Sequence, residues 1–151
     1  MDAKDRQIIR LLQQDGRLTN QELSERVNLS PSPCLRRVRH LERSGVIQGY
    51  AAVVDQALYG LPLTAFLRVR LQSHGREVVR AFEACVRDLE EVLDCFLLTG
   101  SADYLLRIVV ADLAAYEAFI RDKMHAIAGI AALDTSFAYG TVKSSLLLPA
   151  T

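Results

Sequence analysis

Residues 29–47 read Leu-Ser-Pro-Ser-Pro-Cys-Leu-Arg-Arg-Val-Arg-His-Leu-Glu-Arg-Ser-Gly-Val-Ile. Ser30-Pro31 and Ser32-Pro33 open a helix, since proline is accepted in a first turn, where its missing N–H would have no partner in any case. Ser44-Gly45 closes it. Between these signals Arg36, Arg37, Arg39 and Arg43 fall within eight positions. At about 100° per residue, Cys34, Leu35, Val38 and Leu41 share one face. Ser32, Arg36, Arg39, His40 and Arg43 occupy roughly a 100° arc of the other, with Arg37 at the edge between them. The apolar face needs a core to pack on. The basic face suits a DNA major groove, with Ser30, Ser32, Arg36, Arg37, Arg39, His40 and Arg43 as candidate contacts to phosphates and base edges. A charge run is more often an ordinary solvated face, so its flanks decide between the two.

Upstream, Ile8, Ile9, Leu11 and Leu12 recur at helical spacing across residues 2–15, with Asp2 and Asp5 in the first turn, where the helix dipole favours acids. Gly16 ends that helix. Thr19-Asn20-Gln21-Glu22 is a capping box that opens a second helix with Leu23 and Val27 inward. Asn28-Leu29 then turns into the basic helix. Two short helices joined by a tight turn, the second one basic, make a helix-turn-helix over about residues 20–39. The first helix walls in Leu23, Val27, Leu35 and Val38. Val46-Ile47 and residues 50–54 read as a short strand in the position of a wing.

Charge distribution says more than the total. The 151 residues carry 18 Lys/Arg and 18 Asp/Glu, which argues against a generally sticky polycation. Residues 1–60 hold nine basic against seven acidic groups and residues 61–151 nine against eleven, so a DNA contact would be focal. Cys34, Cys85 and Cys95 are too few and too irregular for a disulfide framework, and their apolar settings predict buried thiols. His40, His74 and His125 lack metal-ligand spacing, and no phosphate-cradling glycine loop or nucleophile elbow occurs. No metal, cofactor or catalytic residue is therefore expected. Met1-Asp2-Ala3-Lys4-Asp5 is no signal peptide, and no apolar run approaches the ~18 residues of a membrane span, so a cytoplasmic protein without membrane contact is expected.

The second half has another rhythm. Gly60-Leu61-Pro62 breaks the chain, which places domains at 1–60 and 61–151. Leu63, Ala65, Leu67, Val69 and Leu71 alternate as a strand does, and Val78, Val79, Phe82, Val86 and Leu89 have helical spacing. Residues 92–99 and 104–110 read as a hairpin about the turn Gly100-Ser101-Ala102-Asp103. Asp112 caps a helix with Leu113, Tyr116, Ile120 and Ile127 inward. A fourth strand covers 130–139 and a further edge strand 141–148. The fold class is α+β: a winged helix-turn-helix followed by a ferredoxin-like βαββαβ domain. Leu93, Cys95 and Leu97 alternate with other apolar residues, and so do Leu105 and Val109, so the sheet is apolar on both faces. Two helices cover only one face. A second copy of the chain is the simplest cover for the other, giving a homodimer whose paired helices match a palindromic operator.

These stretches carry a resemblance that spans nearly the whole chain. Residues 5–9 (Asp-Arg-Gln-Ile-Ile), 16–23 (Gly-Arg-Leu-Thr-Asn-Gln-Glu-Leu), 27–38, 41–47 and 99–104 (Thr-Gly-Ser-Ala-Asp-Tyr) resemble the leucine-responsive regulatory protein / asparagine regulator (Lrp/AsnC) family of transcription factors. The resemblance implies sequence-specific transcriptional regulation on double-stranded DNA, dimers that assemble into octamers, and an amino acid or similar effector bound at a subunit contact. By the same resemblance, Thr99, Gly100, Ser101, Asp103 and Tyr104 form the effector turn, joined by Thr135 and Ser136 on the last strand. Turn amides suit an α-carboxylate and Asp103 an ammonium group, although glycine and aspartate also favour a plain hairpin turn. Two alternatives share the layout. One is an enzyme resembling siroheme decarboxylases; the other is an amino-acid sensor without DNA binding. The full arginine set of residues 36–43 counts against both.

Overall fold

The computed structural model describes residues 1–149. The chain forms two compact units, residues 1–53 with the tail from Lys143, and residues 54–142.

In the first unit, α1 (Ala3–Gln14), α2 (Asn20–Arg26) and α3 (Pro31–Arg43) enclose a core of Ile8, Leu23, Val27, Cys34 and Leu41. Each start is written in the neighbouring sequence. Asp2 caps α1 and forms a capping box with Asp5, and Thr19 does the same for α2 with Glu22. Proline occupies the first turn of α3. Asn28 sits at φ 53°, a left-handed geometry that asparagine tolerates, and turns α2 into α3. Leu35 lies at the rim of this core, 36% exposed, instead of inside it.

The second unit holds β1 (Leu63–Leu71), α4 (Arg76–Arg87), β2 (Val92–Leu97), β3 (Tyr104–Val110), α5 (Leu113–Ala118) and β4 (Ile130–Ala138). All pairings are antiparallel, in the order β2-β3-β1-β4. This is the expected βαββαβ topology. One face of the sheet presents Ala65, Leu67, Val69, Leu106 and Ile108 to Phe82, Val86, Tyr116, Phe119 and Met124. The other carries Phe66, Leu105 and Phe96 beside two register-matched ion pairs, Arg68–Asp134 at 3.1 Å and Arg107–Asp94 at 2.5 Å. It is thus a mixed face, not a purely apolar one.

Four expectations fail for local reasons. Residues 46–54 form no strand, since no neighbouring strand offers hydrogen bonds; Val53 and Val54 stand exposed. Residues 141–148 form no edge strand; Arg10 Nη1 donates to the Leu148 carbonyl and Gln13 Nε2 to that of Leu146, which ties the tail to α1. Only Cys34 is buried, because Cys85 is on the outer side of α4 and Cys95 on the edge strand β2. Leu113, the first residue of α5, is exposed, whereas Tyr116, Ile120 and Ile127 pack on the core as expected. A π-helical turn over Phe119–Met124 follows, and it adds Phe119 and Met124 to the buried face.

Candidate functional site

The surface of α3 is the first candidate. Ser30, Ser32, Arg36, Arg39, His40 and Arg43 are all exposed, the last five on the single arc expected from their spacing. Among the described residues, Arg36, Arg39 and Arg43 have no acidic partner and no side-chain hydrogen bond. From Ser32 to Arg43 the rise is roughly 16 Å, enough to follow a major groove of about 12 Å width. The far face is seated by Cys34 and Leu41, both fully buried. Asn20 Nδ2 donates to the Pro31 carbonyl at 2.9 Å, which fixes the start of α3 against α2. The Asn20 Oδ1 beside it is buried without a partner.

Arg37 does not belong to this exposed set. Its Nη1 donates to Asp2 Oδ2 at 2.8 Å and to Asp5 Oδ1 at 2.7 Å, and Asp5 is buried. Hydrogen bonding to the Asp5 and Asp2 carboxylates raises the guanidinium pKa above its ordinary value. The Asp5 backbone N–H and the Arg37 guanidinium together lower that of Asp2. The candidate contact at position 37 is therefore corrected to an internal ion pair.

The second candidate is the β2–β3 turn. Thr99, Gly100 and Ser101 are exposed, and Gly100 adopts φ 120°, a geometry that side chains rarely accept. Asp103 faces inward to its own chain. Its Oδ1 is 2.7 Å from His74 Nε2, and its Oδ2 accepts from the Leu71 N–H at 2.7 Å. Those two bonds, the His74 one foremost, hold its carboxyl below the ordinary value of 3.8. Tyr104 is buried against Phe82 and donates to Glu83 Oε1 at 2.9 Å. Burial, then that bond, pushes its phenol up to about 12.

Thr135 and Ser136 are adjacent on β4 and so point to opposite faces of the sheet. Thr135 shares a 2.7 Å hydrogen bond with Tyr116 under the helices, and Ser136 accepts from Arg68 on the open face. The seven residues expected at the effector site therefore do not converge within one chain. Two surface concavities of this unit lie away from the turn. One, of about 310 Å³, lies between His125 and the start of β4; the other, of about 460 Å³, lies between Pro62-Leu63 and Asp112-Leu113. Sequence reasoning missed the Asp2–Arg37–Asp5 cluster and the His74–Asp103 pair. The Asp-x-x-Asp spacing of residues 2–5 was a local sign of the first; nothing near His74 signalled the second.

Comparison with known proteins adds to this geometry. Residues 1–48 match a family model described as winged helix-turn-helix DNA-binding, and residues 64–148 match the Lrp/AsnC ligand binding domain. The chain is 41% identical over 142 residues to the Bkd operon transcriptional regulator of Pseudomonas aeruginosa, covering 94% of this chain and 93% of that one. It is 41% identical over 145 residues to the leucine-responsive regulatory protein of Salmonella typhimurium, covering 96% and 88%. Among solved structures, a transcriptional regulator of Neisseria meningitidis in complex with L-Met superposes with a TM-score of 0.94 at 42% identity, covering 99% of this chain and 96% of that one. An AsnC family regulator from Agrobacterium tumefaciens gives 0.94 at 37% identity, covering 99% and 97%.

Proposed function

The chain belongs to the Lrp/AsnC family of DNA-binding transcriptional regulators, and on that premise we propose that α3 reads a palindromic operator under the control of an amino acid held by the sheet unit. The observation that carries the DNA reading is the exposed arc of Arg36, Arg39 and Arg43 with no internal counter-charge. Unpaired guanidinium groups at that spacing suit base edges and phosphates. Arg39→Ala tests it. Loss of roughly 1–3 kcal/mol on the preferred duplex alone marks a base contact, and an even loss on every sequence marks a phosphate contact. Unchanged binding to both kinds of duplex removes the assignment.

The pairing of two readers follows from the open sheet face. Phe96 is exposed there and Phe66 and Leu105 are half-buried, and a two-fold partner would bury them further. Assembly of such dimers into octamers rests on the family resemblance and is measured by light scattering. The place of work is then the cytoplasm, where bacterial and archaeal DNA lies.

For the effector, the exposed amides at Thr99, Gly100 and Ser101 suit a carboxylate, and a solved relative was crystallised with L-Met. Asp103, through Leu71 and His74, holds that turn in shape; with Thr135 and Ser136 pointing to opposite faces of the sheet, the effector completes its site at a subunit contact, as the family resemblance implies. Titration calorimetry against the common amino acids, L-Met first, is the test, with Asp103→Ala expected to abolish binding. An absence of heat and of any change in assembly with all of them would remove the effector. The relatives carry regulator names, and nothing in this reading requires a reaction.

A further inference from the structure

We infer that Arg37 is a positioning residue: bridged to the capping carboxylates of α1, it sets the roll of α3 about its own axis and so the aim of the arginines that meet DNA. The inference rests on the DNA-binding role of Arg36, Arg39 and Arg43. Apolar burial holds α3 down but is non-directional. Cys34 and Leu41 define which side faces the core, yet a rotation of some degrees costs such contacts little. The polar contacts are directional. The bond from Asn20 to Pro31 fixes one end of the helix. Arg37, six residues on, supplies a second fixed point from the opposite wall of the unit.

The oxygens on α1 are divided between two tasks. Asp2 Oδ1 accepts from the Asp5 N–H at 2.9 Å and Asp5 Oδ2 from the Asp2 N–H at 2.8 Å, which completes the capping box. The remaining oxygens, Asp2 Oδ2 and Asp5 Oδ1, both receive Arg37 Nη1. The carboxylates are thus oriented by the start of α1 before they meet the guanidinium. That start is in turn tied to the α2–α3 turn, because Lys4 Nζ donates to the Val27 carbonyl. Arg36 precedes Arg37 and Arg39 follows it by two, so any change in roll at position 37 redirects both.

The experiment uses the full-length protein and two fluorescent duplexes of equal length: one selected by it from a randomised pool, the other of random sequence. Salt dependence is recorded for each. Arg37→Met is expected to weaken the selected duplex at least fivefold, to leave random duplex within twofold, and to leave the slope of log K against log salt unchanged. Asp5→Asn removes a negative charge near a polyanion. Simple electrostatics would tighten binding, whereas loss of positioning is expected to weaken the selected duplex at least threefold. If Arg37→Met does not unfold as a single cooperative transition, the sign of the Asp5→Asn effect decides. A slope reduced by about one with Arg37→Met marks a phosphate contact instead and overturns the inference, as does unchanged or tighter binding with Asp5→Asn. Arg39→Ala is run beside them: no effect there would remove the DNA reading itself, independently of Arg37.

Discussion

Arginine is used in opposite ways on the sheet face and on the exposed arc of α3. On the sheet, Arg68 lies directly across from Asp134 and Arg107 across from Asp94, and each pair is within hydrogen-bond distance. Opposite charges in register support a sheet. On α3, Arg36, Arg39 and Arg43 stand three and four residues apart, within reach of one another, while the nearby Glu42 accepts a hydrogen bond from the Tyr50 hydroxyl. Like charges at that spacing cost a helix about 0.2–0.5 kcal/mol per pair. The exposed arc of α3 therefore carries a small electrostatic penalty that yields nothing inside the fold, whereas the two sheet pairs are neutralised. A zero net charge conceals this contrast. It also separates the two surfaces chemically: one is an unanswered cation row suited to a polyanion, the other a neutralised face with aromatic residues suited to a second copy.

The strongest way to break the comparison is to remove the unanswered row. Arg36→Ala, Arg39→Ala and Arg43→Ala combined should cost at least about 3 kcal/mol of DNA affinity and lower the salt slope by about 2–3 per helix. Thermal stability should be unchanged or slightly raised, because like-charge repulsion is relieved. Fluorescence anisotropy across a salt series, with a melt on the same sample, reads both. A triple variant that binds as before, or melts markedly lower, would place these arginines among the structural ones.

The next effect belongs to the sheet. Phe66→Asp puts a carboxylate without a partner in the middle of the proposed dimer face, at a cost on the order of 2–3 kcal/mol of association. Light scattering should then report a dilution-dependent loss of mass. Binding to a half-site by the separated chains should persist while cooperative binding to the palindrome falls. Full assembly retained at low concentration would move the interface elsewhere.

How much of this was legible in the sequence depended on how far apart the cooperating residues are. The helix starts were readable because Thr19 and Glu22, or Pro31 and Pro33, carry their mechanism within one turn. The strand at residues 63–71 was readable because alternation is local. The wing strand failed because a strand also needs a partner, which no run of valines supplies. On α5 the inward Tyr116, Ile120 and Ile127 were readable from their spacing, and only Leu113, in the first turn, stands exposed. Arg37 looked like its neighbours because its carboxylates lie 32 and 35 positions away. Asp103 looked available to a ligand because His74 is 29 positions away. In both sites the sequence identified the charged residues, but not which were already engaged.

A smaller effect sharpens the contrast from the paired side. Arg107→Ala leaves Asp94 without its cross-strand partner. Both side chains are more than a third exposed, so water replaces much of what is lost, and the expected cost is about 0.5–1 kcal/mol. Denaturant midpoints at low and high salt check this, because screening should shrink the difference between variant and wild type. Affinity for random-sequence DNA should not change, whereas alanine at any phosphate-contacting arginine of α3 should lower it. A change there would show that the sheet arginines also meet the polyanion, which would end the division of labour between the units.

The smallest effect concerns an acid rather than an arginine, and it has a definite sign. Asp103 is held below 3.8 by His74 and the Leu71 N–H. Its folded-state pKa is thus lower than in the unfolded chain, so its contribution is complete above the unfolded value and is lost as pH falls through the folded one. Asp103→Asn keeps a carbonyl oxygen for the Leu71 N–H and removes only the charge. The variant should be slightly less stable than wild type at neutral pH, and the two should converge once Asp103 is protonated in the folded state as well. His74 is 77% exposed, so solvent limits the size of the gap. Denaturant midpoints from pH 7 to pH 2 measure it. A gap that persists at pH 2 would assign the loss to altered hydrogen-bond geometry at Leu71. One that vanishes would mean that the charge itself holds the turn, in which case an effector bound there meets a loop whose shape is already set by electrostatics.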